Sequence, residues 1–175
     1  YDNARTPDAP GWQEVRTWLE EKMPADHPRP AIVHNDYRFD NVILDANDPL
    51  RIIGVLDWEL TTLGDPLMDL GNTLAYWIEA DDPAPVQLMR RQPSNAPGML
   101  TRQAFVDYYA ERAGIEIKCF DFYYIYGLFR LAGIVQQIYY RYYHGQTADK
   151  RFASFVQMNA LLEKMALGVV ARSSL

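Results

Sequence analysis

The sequence predicts an α+β fold that is mostly α-helical, and three observations support this prediction. Apolar residues recur at helical spacing over residues 11–23, where Trp12, Val15 and Leu19 share one face. Three short apolar runs then alternate with turn residues, as strands do. From residue 101 onward the patterning is helical. A small β patch should therefore lie between one helix and several more.

The first part of the chain is predicted to contain one helix and three strands. Pro24 ends the helix because proline cannot continue the helical hydrogen-bond pattern, and residues 25–30 form a loop. The predicted strands are residues 31–34, 41–45 and 51–57, with a turn at residues 46–49 and a loop at residues 61–64.

The remaining chain is predicted to be helical with one long interruption. Asp65 and Pro66 mark a helix start, because Asp caps a helix N-terminus and Pro suits its first position. Four prolines make residues 81–98 an irregular connection. The predicted helices run from residue 66 to about 79, from Thr101 to Gly114, from Asp121 to about Tyr143, and from Thr147 to about Gly168.

Composition limits the possible partners of the chain. Its 175 residues suffice for one domain, and its net charge of −6 comes without a clustered basic face, which argues against nucleic-acid binding. The longest apolar segments are interrupted by Arg130 and are too short to span a membrane. Cys119 is the single cysteine, so we expect no internal disulfide and a reducing, cytoplasmic compartment.

The polar residues at the strand ends suggest a chemistry. His34 and Asp36 follow the first predicted strand, Asn41 opens the second, and Asp57 ends the third. Three strands would thus bring one Asp, one Asn and another Asp to a common edge. Phosphoryl transfer with Mg²⁺ needs a carboxylate to orient a hydroxyl, and an amide oxygen with a second carboxylate to hold metal.

Each of these three residues also has a purely structural interpretation. Asp36 could close its loop as an Asx turn, and Asn41 could be a turn or cap residue. Asp57 could be a loop or cap carboxylate, although a charge at the end of a buried strand needs a partner, and a metal ion would be one. The spacing of all three favours the catalytic interpretation.

Neighbouring polar residues fit supporting roles. His34 is better explained as a structural residue that hydrogen-bonds the loop backbone than as a ligand, because no second His has ligand-like spacing to it. Glu59 is either a solvated residue or a contributor to a second metal or to substrate binding. Asp65 is the expected N-cap. Asp69, one turn later, either braces the loop or favours the helix N-terminus.

These motifs resemble the catalytic core of protein-kinase-like enzymes. The pattern H-x-D-x-x-x-x-N over residues 34–41, followed by the strand that ends at Asp57, is similar to the aminoglycoside phosphotransferase and choline kinase type. Trp58 and Glu59 stand where protein kinases carry Phe-Gly, and no Ala-Pro-Glu element follows. Within this type, the chain most resembles the branch found alone or fused to acyl-CoA dehydrogenases.

The resemblance implies a role for each residue. Asp36 would be the catalytic carboxylate, Asn41 and Asp57 would bind the nucleotide through Mg²⁺, and ATP or another nucleoside triphosphate would donate the phosphoryl group. His34 would support the catalytic loop. Asn35 departs from the Gly of many relatives, and Asn tolerates a positive φ best among the other residues.

The resemblance also implies that a lobe is missing. The glycines never form G-x-G-x-x-G, and none of the four lysines lies in a strand pattern. Residues 1–175 would therefore be the C-terminal lobe alone, with residues 31–72 as its catalytic and metal-binding core and residues 99–171 as a helical substrate subdomain.

Three functions remain open on the sequence. The first is a kinase that phosphorylates a small-molecule hydroxyl but is inactive without its N-terminal lobe. The second is a non-catalytic kinase-like scaffold or ligand-binding module. The third, a metal-dependent phosphohydrolase, normally needs more carboxylate or His ligands than these segments provide.

Overall fold

The computed structural model describes residues 1–25, 27 and 29–175 of the chain. The predicted loop at residues 25–30 includes residues 26 and 28, which lie outside the described residues. The described chain forms two compact units, one of residues 1–23 with 118–175 and one of residues 24–117. No helix among the described residues is long and apolar enough to cross a membrane.

The described residues confirm an α+β fold dominated by helices. The helices are α1 (Gln13–Glu21), α2 (Pro66–Ala75), α3 (Ala84–Gln87), α4 (Arg102–Ala113), α5 (Asp121–Tyr143) and α6 (Phe155–Val170). The strands are β1 (Ala31–Val33), β2 (Val42–Leu44), β3 (Ile52–Val55) and β4 (Thr62–Gly64).

The strands form two separate antiparallel ribbons instead of one patch. β1 pairs with β4, with Ile32 opposite Leu63, and β2 pairs with β3, with Val42 opposite Val55. The prediction of a loop at residues 61–64 was therefore wrong. A three-residue strand is too short to show alternating hydrophobicity, so only its hydrogen bonds to a distant segment reveal it.

Helix ends with strong local signals were predicted well. Thr101 accepts a hydrogen bond from the Ala104 amide at 3.1 Å and begins α4, and Gly114 ends it with a φ of 65°. Two predictions were wrong. α2 ends four residues before 79, and the last helix is not capped by Thr147, because Asp149 caps a 3-10 turn that leads into α6.

The unit of residues 1–23 and 118–175 is a helical assembly of α1, α5 and α6. Trp12 is fully buried, and its ring centroid lies 5.4 Å from that of Phe129, so α5 packs against the chain's own N-terminal segment through this aromatic residue. The buried amides of Gln136 and Asn159 are satisfied, since Asn159 donates to Gln136 at 2.8 Å and accepts from the Trp12 indole at 2.9 Å.

The unit of residues 24–117 holds both ribbons and α2, α3 and α4. α2 packs against β1, and the side chains of Val33, Leu70 and Leu74 form part of its core. Residues 34–41 connect the two ribbons over this core. This unit therefore contains every residue that the sequence singled out as a site residue.

Candidate active site

The loop after β1 is held by His34, which is 3 % exposed. The Asp36 amide donates to His34 Nδ1 at 3.2 Å, so Nδ1 is the acceptor nitrogen of the ring. Nε2 therefore carries the proton and donates it to the Leu56 carbonyl at 2.7 Å. One buried imidazole thus links the loop at Asp36 to the end of β3, as a supporting residue would.

Asp69 braces the same loop from α2. Its two carboxylate oxygens accept the backbone amides of His34 and Asn35 at 2.7 Å and 2.8 Å. Of the two roles that the sequence left open for Asp69, the geometry shows the loop brace. Asn35 has a φ of 66°, and its side-chain amide donates to the Leu60 carbonyl at 2.9 Å. These contacts hold a backbone conformation that non-glycine residues seldom adopt.

Asp36 and Asn41 lie in direct contact. The Asn41 side-chain amide donates to the Asp36 carbonyl at 2.8 Å and to Asp36 Oδ2 at 3.0 Å. Both acceptors fix the orientation of the amide, with Nδ2 toward Asp36 and Oδ1 on the opposite side. Asn41 is 7 % exposed, so this orientation is set inside the protein and not by solvent. The oxygen that could serve a cation is the one turned away from Asp36.

Asp57 is brought to Asn41 by the backbone. The Leu56 amide donates to the Asn41 carbonyl at 2.8 Å, which extends the β2–β3 ribbon by one hydrogen bond. Asp57 follows immediately, with an exposed side chain and a φ of 63°. A non-glycine residue in this region is strained, and such strain is concentrated at functional sites. Asn41 and Asp57 therefore lie at the same end of one ribbon.

The remaining predicted residues, Asp65 and Glu59, lie close to Asp57 in the sequence but belong to different local structures. Asp65 caps α2, accepting the Leu67 amide at 2.9 Å. Glu59 lies in a 3-10 turn with an exposed side chain. Among the described residues, no group of three or more His, Cys, Asp or Glu is placed to hold a metal ion. A cation at this site would therefore depend on Asn41 and Asp57 with oxygens from outside the protein.

Arg38 is a site residue that the sequence analysis missed. Its Nε lies 3.2 Å from Asp36 Oδ1, and its guanidinium lies 4.8 Å from the centroid of the Tyr76 ring. The available signal was its position, because Arg38 is the basic residue of the polar loop, two positions after Asp36. Its side chain is 21 % exposed, so the contact with Asp36 is shielded from bulk water.

The proline-rich segment after α2 is tied down by buried side chains. Ser94 accepts the Ile78 amide at 3.0 Å and donates to the Ile78 carbonyl at 2.9 Å. Gln92 accepts the Phe39 amide at 3.3 Å and donates to the Tyr76 carbonyl at 3.4 Å. This irregular segment is thus hydrogen-bonded to the loop that carries Asp36.

Two carboxylates of that segment are neutralised by Arg102. The guanidinium of Arg102 donates to both oxygens of Asp82 at 2.8 Å and 2.7 Å, and it lies 3.3 Å from Glu79. Their pairing with Arg102 connects the segment to the start of α4.

Comparisons with known proteins identify the family of the chain. The profile of the phosphotransferase enzyme family matches residues 1–105, which include every predicted site residue. The chain belongs to this phosphotransferase family. A crystal structure from Ralstonia eutropha JMP134, provisionally described as an aminoglycoside phosphotransferase, superposes with a TM-score of 0.81 at 28% identity. The superposition covers 100% of this chain and 53% of that one.

Curated relatives of this phosphotransferase chain are much longer proteins. Acyl-CoA dehydrogenase family member 11 of Gallus gallus is 30% identical over 99% of the chain, and the Homo sapiens protein of that name is 31% identical over 90%. Acyl-CoA dehydrogenase family member 10 of Mus musculus is 33% identical over 95%. The matches span 23%, 20% and 15% of these relatives, so the chain corresponds to about a fifth of their length.

A cavity of about 320 Å³ lies beside the loop of residues 34–41. Its walls include Tyr37, Asp69, Thr73, Phe105 and Tyr109. Burial raises the pKa of Tyr109, and the charges of Asp69 and Asp65 raise it further, so its phenol stays protonated at neutral pH. Asp36 is not among the residues that line this cavity.

Proposed function

We propose that this chain carries the catalytic and metal-binding residues of an ATP-dependent, Mg²⁺-requiring kinase that phosphorylates a hydroxyl of a small molecule. One observation carries the proposal: Asn41 contacts Asp36 through its side chain and the residue before Asp57 through its backbone. These contacts support the proposal that the three residues named from the sequence act together. A structural role for each would not require them to meet.

Asp36 acts on the acceptor. Its carboxylate accepts a hydrogen bond from the acceptor hydroxyl, orients that oxygen, and receives its proton as the phosphoryl group is transferred. A carboxylate has about four acceptor positions, so the contacts of Asp36 with Asn41 and Arg38 leave room for the hydroxyl. His34 and Asp69 act only on the loop, by fixing its backbone.

The donor set at the end of the β2–β3 ribbon fits Mg²⁺. Asn41 Oδ1 is an amide oxygen turned away from Asp36, and Asp57, at the same end of the ribbon, carries a carboxylate. Hard oxygen ligands of this kind, few in number and completed by phosphate oxygens and water, are typical of Mg²⁺ sites with nucleotides. Bound Mg²⁺ and ATP would supply the phosphoryl group and offset the charge that develops during transfer. Glu59 lies two residues after Asp57, and we assign to it a contact with substrate or with a second cation.

The chain is proposed to be the C-terminal lobe, with residues 31–72 as core and residues 99–171 as the substrate subdomain. An N-terminal nucleotide lobe of the same protein would be its partner, and the solved relative is about twice as long as the region that matches. The β2–β3 ribbon exposes Ile43, Leu44, Ile52 and Ile53 by between 43% and 56%. Adjacent exposed apolar residues of this kind mark interaction surfaces. Without that lobe the chain should transfer phosphate poorly or not at all.

The acceptor is proposed to be a small molecule and not a nucleic acid or a membrane surface. The net charge of −6 is unfavourable for binding a polyanion. A reducing cytoplasmic compartment suits the lone Cys119.

The test compares the chain with the longer protein that also includes the nucleotide lobe. Each is incubated with Mg²⁺, ATP labelled in the γ position and a panel of small-molecule alcohols, and phosphorylated products are identified by mass spectrometry. We expect product only from the longer protein, and none when Asp36 is changed to Asn. Asp45→Asn is the control, because Asp45 also ends a strand of this ribbon but pairs with Arg51. Equal product from Asp36→Asn would exclude the catalytic role of Asp36, and no product from the longer protein would favour a non-catalytic scaffold.

A further inference from the structure

We propose that Arg38 is a positioning residue that fixes the carboxylate of Asp36 for phosphoryl transfer. The inference rests on the proposed function and adds a second residue to it. Asp36 is held on both sides: Asn41 donates to Oδ2 at 3.0 Å, and Arg38 Nε approaches Oδ1 to 3.2 Å. A carboxylate with a contact on each oxygen cannot rotate freely about its last bond. Its orientation is thus set before the acceptor arrives.

Arg38 is itself held in place on several sides. Its guanidinium packs against the Tyr76 ring at 4.8 Å, which is within the range of a cation–π interaction. Its NH1 lies 3.5 Å from Asp40, a carboxylate that is 56% exposed. Gln92 links the two segments that carry this pair, by accepting the Phe39 amide and donating to the Tyr76 carbonyl. Tyr76 therefore contacts Arg38 directly, and Gln92 ties together the two segments that carry them.

One donor of Arg38 is not fully satisfied in the fold. Its Nε is buried, and among the described residues no acceptor meets it in good hydrogen-bonding geometry, although Asp36 Oδ1 is close. A buried donor without a well-directed acceptor is unfavourable. Such donors are uncommon in native proteins, and a role at a catalytic site is one explanation for them. The positive charge of Arg38 also compensates the half-buried carboxylate of Asp36, which would otherwise lack an ionic partner.

Orientation of this kind has a measurable kinetic effect. Displacement of a reacting group by about 1 Å can reduce a rate about 100-fold while leaving substrate binding nearly unchanged. Loss of Arg38 should therefore lower kcat and change the KM values for ATP and for the acceptor little. A residue needed only for folding would instead lower the amount of native protein in proportion to activity.

The kinetic experiment uses the longer protein with its nucleotide lobe. We expect Arg38→Met to lower kcat about 100-fold with KM values within about twofold. Arg38→Lys should also be impaired, because the planar guanidinium of arginine packs on Tyr76 and at the same time brings Nε to Asp36. A lysine ammonium cannot make both contacts. Added guanidinium ion should restore part of the kcat of Arg38→Ala, which a folding defect would not allow. Arg51→Met is the matched control, because Arg51 forms the exposed pair with Asp45.

A second readout does not depend on turnover. The side-chain amide protons of Asn41 are bonded to Asp36, so their NMR resonances report where that carboxylate lies. We expect these resonances to shift in Arg38→Met and to remain in place in Arg51→Met. Unchanged resonances with a wild-type kcat in Arg38→Met would overturn the positioning role and leave the kinase proposal intact. A higher kcat in Arg38→Met would also overturn it, because Arg38 would then be an inhibitor of Asp36.

Turnover by Asp36→Asn at the wild-type rate is a different outcome. It would remove the role assigned to Asp36, and the positioning role of Arg38 would go with it. A longer protein that forms no phosphorylated product at all would remove the kinase proposal itself. The failures are therefore distinguished by which of these proteins keep their activity.

Discussion

At the scale of single residues, the backbone of the loop after β1 is held by one carboxylate of α2. Asp69 accepts the amides of two consecutive residues, His34 and Asn35, one on each oxygen. A helix thereby fixes a loop whose second residue has a positive φ. The sequence could not show this, because a carboxylate in the first turn of a helix is equally explained by the helix dipole.

We predict that Asp69→Asn lowers the free energy of unfolding by about 2–3 kcal/mol. An amide has one acceptor oxygen where the carboxylate has two, so a buried backbone amide loses its partner. Urea denaturation measures the change. Asp65→Asn is the matched control, since Asn caps a helix about as well as Asp and should cost less than about 0.5 kcal/mol. Equal losses in the two variants would show that Asp69 acts only through the helix dipole.

At the scale of elements, helix boundaries were predictable where the signal is local. α4 begins after Thr101 because its hydroxyl caps the helix N-terminus, and it ends at Gly114 because this glycine adopts the left-handed conformation. The long helix α5 was also predicted over its observed range. β4 and the start of α6 were missed, because a strand of three residues exists only through its pairing with β1 and a 3-10 turn precedes α6.

The same distinction between local sequence signals and contacts of the folded chain applies to the site residues. The sequence placed Asp36, Asn41 and Asp57 at strand ends, and their chemistry singled them out. It could not foresee that the strands form two ribbons, that the Asn41 amide turns toward Asp36, or that Arg38 packs on Tyr76. Each of these features depends on contacts between segments that only the folded chain brings together.

We predict that Thr101→Ala lowers the free energy of unfolding by about 1 kcal/mol. The substitution removes the hydroxyl that accepts the Ala104 amide, and a lost N-cap has this typical cost. Thr101→Ser keeps the hydroxyl and should remain close to the wild type in the same denaturation experiment. A Thr101→Ala protein as stable as the wild type would mean that α4 is held by its packing alone.

At the scale of the whole molecule, the first and last parts of the sequence meet in one unit. The Tyr139 hydroxyl donates to Asp8 at 2.7 Å, which links the N-terminal segment to α5. Burial and the nearby Asp8 raise the pKa of Tyr139 to about 12, and the hydrogen bond from Tyr139 lowers the pKa of Asp8. This pair makes the stability of the chain depend on pH at both extremes.

We predict a stability loss in alkali and another in acid that both depend on Tyr139. Its contribution is fully present below its unfolded pKa of 10.0 and is lost as the pH rises from there through about 12. The contribution of Asp8 is present above its unfolded pKa of 3.8 and is lost as the pH falls through the lowered folded value. Thermal unfolding across this pH range should show both losses, and both should be smaller in Tyr139→Phe. Identical pH profiles for the two proteins would contradict this account of the pair.

The separate roles proposed for Asp36 and Asp57 can be measured in the longer protein that includes the nucleotide lobe. The decisive measurement is kcat together with the Kd for Mg²⁺-ATP in Asp36→Asn and in Asp57→Asn. We predict that Asp36→Asn loses at least about 100-fold in kcat and binds Mg²⁺-ATP normally. Asp57→Asn should weaken Mg²⁺-ATP binding by more than about tenfold. Normal kcat in Asp36→Asn, or normal Mg²⁺-ATP binding in Asp57→Asn, would contradict the assignment of these residues to phosphoryl transfer.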